Sequence, residues 1–479
     1  MSTLPVLCPI IDGKPVSDID SVTLPVVDPS TRETLAEAAL CDATVVDAAV
    51  RAARAAFPGW SKTTPRQRSE VLHGIADLIE SHQDELAATE SRIGGKPISA
   101  ARDEMDIIID NWRFFAAAAR HQFGQAAGEY TPGYTSYVRR EALGVAALVA
   151  PWNYPMHMAT WKLAPALATG NTCVIKPSEL TPTTLLRIIE LADDLLPPGV
   201  VNVVLGDGRT TGAALTGHPD VNAISVTGDV ETGRAVTRAA AESLARLHLE
   251  LGGNAPAVVL DDADVETAAT ILAAGALYNA GQDCTAPSRI IATAGIYDRL
   301  TERLTEQFNA VEPGPTSKPE TQLGPVISAR HLARLSDMVD RARSEGATVA
   351  VGGAADPANG FAYRPTVVVN PDQRSEIVQR EIFGPAVTIQ RAPDTDTAFA
   401  WAGDVPYGLS ASVWTRDLDL ANRATRQFRY GTVWINDHTP VVSEMPFGGF
   451  GQSGHGKDMA LDALNNYTEA KHVMTRNSA

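Results

Sequence analysis

Cys284 and Glu250 are the two residues whose types and spacing could do chemistry together. A thiol is a strong nucleophile once ionised, and a carboxylate is a general base. Cys284 closes the run NAGQDC (279–284), and Glu250 lies 34 residues upstream in LELGG (249–253). Glycines and small residues flank both, so the backbone there can approach a ligand closely. The pair points to covalent catalysis through sulfur followed by hydrolysis. A lone cysteine is more often an inert, buried small hydrophobe. The polar loop Gly-Gln-Asp-Cys-Thr predicts instead an exposed thiol, with Asp283 pointing away from it or capping locally. Glu250 ends an alternating strand before a double glycine, where partial burial would raise its pKa toward the range useful to a base. An ordinary solvated carboxylate is the alternative.

Asn153 follows Pro151-Trp152. It is a turn residue or, beside a nucleophile, an amide that donates to a developing oxyanion. Two turns could cradle phosphate. Gly206 to Gly212 reads GxGxxxG, one residue too long for the dinucleotide fingerprint, and Thr227 to Gly233 is a second strand-to-helix turn. Either is weak alone. Asp106 and Asp110 lie one turn apart on an acidic helix and share a face. That face is either solvated or an anchor for a cationic substrate. Walker A, HExxH and Asp-rich calcium-loop patterns are missing, so no metal is expected.

The elements that must position these residues alternate. Helices are expected over 44–57 (stopping at Pro58-Gly59), 65–81, 83–93 and 102–120. From residue 144 the pattern becomes strand 145–150, helix to 169, strand 172–176, helix 183–196 and strand 200–205. Helix 210–216, strand 223–227, helix 230–243 and strand 246–251 follow. Such alternation predicts a parallel sheet with helices on both faces and ligands at the carboxyl ends of its strands. A second alternation starts near Ala255: strand 257–260, helix 264–279, strand 289–293, helix 296–309, and onward to strand 432–436. The Gly-rich stretch 447–456 reads as loop. A domain boundary near Gly252-Gly253 would place Glu250 and Cys284 beside one interdomain cleft.

At 479 residues, two or three domains are expected. The net charge of −17 and the lack of a basic stripe argue against nucleic-acid binding. Four scattered cysteines form no CxxC pair, which fits a reducing compartment. The N-terminus has no signal-peptide pattern, and the apolar stretch 142–150 is far short of a membrane span. A cytoplasmic location without membrane attachment is the expectation.

Six motifs in order resemble the aldehyde dehydrogenase superfamily, from about residue 20 to the C-terminus. They are PWNYP (151–155), KPSE (176–179), LELGG (249–253), GQDC (281–284), EIFGP (381–385) and FGG (447–449). The resemblance implies an α/β fold: a Rossmann-type cofactor domain (1–121 and 144–252), an α/β catalytic domain (253–440) and a small β oligomerisation ribbon (122–143 and 457–479). It implies a homo-oligomer, dimer or tetramer, acting on a small-molecule aldehyde. It also implies that Cys284 attacks the aldehyde, that Asn153 and the Cys284 backbone N–H hold the oxyanion, and that hydride leaves to nicotinamide to give a thioester. Glu250 then activates water, with Lys162 in a proton relay. The cofactor NAD would meet Ala150, Pro151, Trp152, Lys176, Ser178, Glu179, Gly208, Gly212, Ala213, Thr227, Gly228, Asp229, Thr232, Leu251, Glu381 and Phe383. Glu179 favours NAD, because a carboxylate would repel a 2′-phosphate. Asp229 departs from the family's small hydroxyl residue and sets a carboxylate toward phosphate, unless it turns to cap the next helix.

Within the superfamily the chain resembles the γ-aminobutyraldehyde dehydrogenase group, through WKLAPAL (161–167), NAGQDCT (279–285), SEMP (443–446) and GKDM (456–459). That implies 4-aminobutanal as substrate, with Asp106 and Asp110 as the cation anchor, Glu444 as a second anionic contact, and Tyr154, Trp161 and Phe447 lining an aromatic channel. Betaine aldehyde, succinate semialdehyde and aromatic or heterocyclic aldehydes are the alternatives, and Asn254 is seen in semialdehyde enzymes. A CoA-acylating enzyme would lack the base at Glu250. A silent binding protein would have no reason to keep Cys284, Glu250 and Asn153 together.

Overall fold

The computed structural model describes residues 4–17, 22–121 and 124–477. Its first large sheet has five parallel strands at the centre, in the order Arg246–Leu251, Ala223–Gly228, Val145–Val149, Thr172–Lys176 and Val201–Val203. The run Val145 to Leu148 and all of Thr172–Lys176 are buried, as strands covered by helices on both faces must be. The chain starts at Val145–Val149, builds outward to Val201–Val203, then returns to the other side for Ala223–Gly228. Strand order therefore reverses between Val145–Val149 and Ala223–Gly228. A crevice opens there at the carboxyl ends, the usual ligand site of such sheets.

The chain crosses from this sheet to a second one over residues 252–255. The second sheet runs Thr348–Val351, Thr366–Val369, Ala386–Ala392, Arg289–Thr293, Pro256–Val259, Ser410–Trp414 and Thr432–Ile435. Only its first strand is antiparallel to its neighbour. A third sheet pairs Tyr134–Ala142 with Thr468–Arg476 along nine residues and carries Gly128–Thr131 on its other side. These strands lie within 122–143 and 457–479, the segments for which the resemblance implies an oligomerisation ribbon; residues 122–123 and 478–479 lie outside the described residues.

Several elements fall where the sequence puts them. Helix Pro65–Ser81 starts with a capping box between Thr64 and Gln67 and Pro65 in its first turn. Helix Val230–Ser243 is capped by Asp229. Other bounds move. Helix Ala43–Trp60 runs through Pro58, because Trp60 is buried and the Ser61 N–H still reaches the Phe57 carbonyl. The fourth helix spans Ile98–Ala118, starting a turn earlier after Pro97. Helix Thr183–Leu191 stops short of the expected end. Gly208–Gly212 is a π-helical turn leading into Ala213–Thr216. The stretch 447–456 is not all loop: Gly454–His455 adds an antiparallel edge strand to Arg246–Leu251.

Candidate active site

Helix Val265–Leu277 ends in a tight turn, Tyr278–Gly281, in which Asn279 and Ala280 take left-handed φ values of 48° and 54°. Such conformations cost energy in non-glycine residues and persist where surrounding bonds fix them. Here Asn279 Nδ2 donates to the Asn153 carbonyl (2.9 Å). Gln282 donates back to the Asn279 carbonyl (3.1 Å) and accepts from the Ile327 N–H (2.8 Å). The loop is thus not the exposed segment its polarity predicts. Gln282 and Thr285 are buried, and Asp283 and Cys284 are only partly open. Polar side chains here satisfy each other rather than water. Gly253 presses on this loop: a Cβ there would lie 2.1 Å from the Cys284 carbonyl oxygen, so only glycine lets the crossing segment pass the nucleophile.

Glu250 sits in register with Thr227 on one side and Gly454 on the other, and only 1 % of it is exposed. Neither carboxyl oxygen has a hydrogen-bond partner meeting ordinary geometry. Burial pushes its pKa up to about 8, and Asp458 adds to the rise, while Lys162 and the nearby Cys284 thiol oppose it. The carboxylate is therefore far more basic than a solvated one. The Cys284 thiol is held well above its ordinary range, first by burial, then by Glu250, Asp283 and Glu381. Asn153 Nδ2 donates to the Gln282 carbonyl (2.9 Å), which brings its amide beside the nucleophile loop and leaves its second N–H uncommitted.

Lys162, on the buried helix Pro155–Ala168, belongs to a group the sequence gave no reason to assemble. Its Nζ donates to Ser225 Oγ (3.3 Å) and lies 3.9 Å from Asp458 Oδ2. Ser225 Oγ contacts His248 Nδ1 (2.8 Å), whose Nε2 lies 3.6 Å from Asp458. Asp458 is raised to about 6 by burial, with Lys162 pulling the other way. Its backbone bridges Phe447 in both directions (2.8 and 2.9 Å). Asp458 was visible in sequence only as part of the GKDM motif, and nothing local marks Ser225 or His248.

The crevice at the strand-order reversal collects the expected cofactor residues. Ala150, Pro151 and Trp152 follow strand Val145–Val149; Thr227 and Gly228 end Ala223–Gly228, and Leu251 ends its neighbour. Lys176 Nζ donates to the Pro177 and Gly206 carbonyls (2.8 Å each) and lies 3.9 Å from Glu179, leaving one ammonium donor for a ribose. Ser178 Oγ accepts from the Leu180 N–H (3.2 Å) and steadies this turn. Thr227 Oγ1 is buried without a partner, an orphan polar atom that fits a ligand in the crevice. Gly208 and Ala213 are exposed and Gly212 is buried beneath them. Glu381 accepts from the Gly253 N–H (2.9 Å) and is pushed up to about 8, chiefly by burial. Phe383 holds φ 53° and meets the Trp152 ring edge-on at 5.4 Å. These residues fit a dinucleotide. Asp229 turns to cap the next helix, accepting the Thr232 N–H (2.6 Å). Its carboxylate therefore occupies donors that a phosphate would use.

On the other side of Cys284 the rings of Tyr154, His157, Trp161 and Phe447 form a continuous wall, with successive centroids 6.2, 5.0 and 5.0 Å apart. His157, overlooked in the sequence, is buried and lowered to about 3 by that burial, so it is neutral. Trp161 Nε1 donates to Asn111 Oδ1 (2.7 Å), Asn111 donates to Ser443 Oγ (2.7 Å), and Ser443 donates to Asp110. Asp110 is exposed but tied to this wall through two residues; Asp106 is exposed one turn away, and Glu444 is exposed beside Ser443.

The chain matches the model of the aldehyde dehydrogenase family over residues 17–473. It is 37 % identical to betaine aldehyde dehydrogenase of Bacillus subtilis, covering 97 % of this chain and 96 % of that one. It is 37 % identical to 2-aminomuconic semialdehyde dehydrogenase of Danio rerio, covering 94 % of each. The crystal structure of Staphylococcus aureus betaine aldehyde dehydrogenase in complex with NAD+ superposes with a TM-score of 0.96 at 35 % identity, covering 98 % of this chain and 95 % of that one. With the sheet order and the Cys284–Glu250 arrangement, these similarities place the chain in the aldehyde dehydrogenase family.

Proposed function

We propose that this protein oxidises an aldehyde to its carboxylic acid with NAD, using Cys284 as nucleophile and Glu250 as base. The observation that carries this reading is a buried carboxyl at Glu250, made basic by its surroundings, beside a thiol on a rigid loop. Glu250 takes the thiol proton as Cys284 attacks the aldehyde carbon. The free Asn153 N–H and the Cys284 backbone N–H stabilise the oxyanion. Bound nicotinamide supplies the hydride acceptor. Lys162 and Asp458 relay that first proton away, which returns Glu250 to its carboxylate. Glu250 then draws a proton from water, whose oxygen adds to the thioester carbon; the carbon–sulfur bond breaks, the acid leaves and the Cys284 sulfur is freed. Lys176, Glu179, Thr227, Glu381 and Phe383 would hold the cofactor.

The substrate we assign is an aldehyde bearing a cation, foremost 4-aminobutanal. The aromatic wall supports this, with Asp110 roped to it and Asp283 at its inner end. Betaine aldehyde, also cationic, is the second reading, supported by the names of the relatives. The paired strands Tyr134–Ala142 and Thr468–Arg476 are the surface we assign to homo-oligomer assembly. Among the described residues no helix is long and apolar enough to cross a membrane.

Stopped-flow mixing of enzyme, NAD and aldehyde tests the reaction: a burst of NADH stoichiometric with Cys284 is expected. Absence of any NADH formation across amino, quaternary-ammonium, acidic and neutral aldehydes would remove the dehydrogenase reading. The ranking of kcat/KM within that panel decides between the two cations.

A further inference from the structure

Asp283 is an unusual neighbour for a nucleophilic thiol, since a negative charge there opposes formation of the thiolate. Its carboxylate is closely held. Oδ1 accepts from the Thr285 N–H (2.6 Å) and Thr285 Oγ (2.7 Å), and Oδ2 accepts from the Tyr154 hydroxyl (2.6 Å). Tyr154 is itself fixed from behind. The Lys96 ammonium stands 4.4 Å from the centre of its ring and pairs with both oxygens of Glu104. Lys96 and Glu104 are almost completely buried. The contacts thus form one line, from the Ile98–Ala118 helix through Lys96, Tyr154 and Asp283 to Cys284.

We propose that Tyr154 is a positioning residue that governs ionisation of the Cys284 thiol through Asp283, in addition to lining the substrate channel. The proposal rests on the dehydrogenase reading only in taking Cys284 as the nucleophile. By donating its hydroxyl to Asp283 Oδ2, Tyr154 spreads the carboxylate's charge and fixes that oxygen at the ring. The charged and titratable groups facing Asp283 are Tyr154, Tyr278, Glu104, Glu250 and His438; those facing Cys284 are Glu250, Asp283 and Glu381. Of these only Tyr154 donates a hydrogen bond to Asp283, so the two form a separable couple. Lys96 supports it by keeping the ring in place, and Glu104 neutralises Lys96.

The test is the pH dependence of iodoacetamide alkylation of Cys284 in the cofactor-free enzyme, read by peptide mass spectrometry so that partly exposed Cys8 does not interfere. It needs no aldehyde turnover, so it stands or falls separately from the substrate. Asp283→Asn keeps the shape and removes the charge; about tenfold faster alkylation at pH 7.5 is expected, a shift of the profile by about one unit to lower pH. Tyr154→Phe keeps the ring over Lys96 and removes the hydroxyl; about threefold slower alkylation is expected, with the profile moved to higher pH. In Tyr154→Phe combined with Asp283→Asn, the Tyr154 effect should vanish. Thr285→Ala, which removes one donor to the same carboxylate, should shift the profile in the direction of Tyr154→Phe. A purely structural role would move both single variants the same way. That outcome, or a Tyr154→Phe effect that persists without the Asp283 charge, overturns the proposal.

Discussion

The catalytic centre and the channel mouth are both lined with carboxylates, yet they differ in what surrounds them. Glu250 and Asp458 are enclosed and Glu381 is half-buried, and burial heads the causes that raise each of them. Asp106, Asp110 and Glu444 stand in solvent. In a low-dielectric interior a neighbouring charge acts strongly, whereas at the surface water and salt screen it. On the function proposed above, the chemistry would rest on a few residues with large individual effects, and substrate preference on many groups with small ones.

The sharpest way to break this contrast is Glu250→Gln. We expect the NADH burst to slow, because Glu250 no longer takes the thiol proton, and steady turnover to fall further, by roughly 10²–10⁴-fold, because the acyl group then stays on Cys284. Intact-protein mass spectrometry should show the acyl adduct; turnover near wild type would mean the base lies elsewhere. Next is pH. Glu250 must be ionised to activate water, so kcat should climb as pH rises through about 8 and fall below it. Asp458→Asn removes a negative neighbour that raises Glu250, so the acid limb should move to lower pH by about one unit. A limb that stays in place would separate Asp458 from the base. At the cofactor crevice, Asp229→Ser should tighten NAD binding by several-fold, about 1 kcal/mol, by freeing the helix N-terminus from a carboxylate. Calorimetric titration reads this directly, and an unchanged or weaker Kd rejects repulsion. The smallest effect belongs to the mouth. Asp110→Ala should raise KM for 4-aminobutanal about three- to fivefold and leave butanal unchanged, in keeping with an exposed charge worth under ~1 kcal/mol. Equal changes for both aldehydes would take Asp110 out of substrate recognition.

The same contrast governs what could be read from the sequence. Strands Thr172–Lys176, Arg246–Leu251 and Arg289–Thr293 and helix Val230–Ser243 declare themselves through local pattern, and the structure gives them those bounds. Glu250 and Cys284 stood out because reactive side chains sat in glycine-rich runs. Helix Ala43–Trp60 was cut short because proline normally ends a helix, and packing of Trp60 overrode that rule. Polarity predicted an open loop around Cys284, yet Gln282 and Asn279 turned inward to bond each other and Asn153. Asp458, Ser225, His248 and Lys96 take their importance from partners far away in the chain. Periodicity reports which face of an element is buried, and says nothing about which distant residue it will meet.

The two-residue strand Gly454–His455 carries a consequence for biosynthesis. It closes the edge of Glu250's strand, and Asp458 follows it at once. A chain emerging from the ribosome possesses its thiol and its carboxylate long before this cover arrives. The burial that raises Glu250 therefore rests on a segment made long after it, and a chain without that strand would leave Glu250 at an open sheet edge.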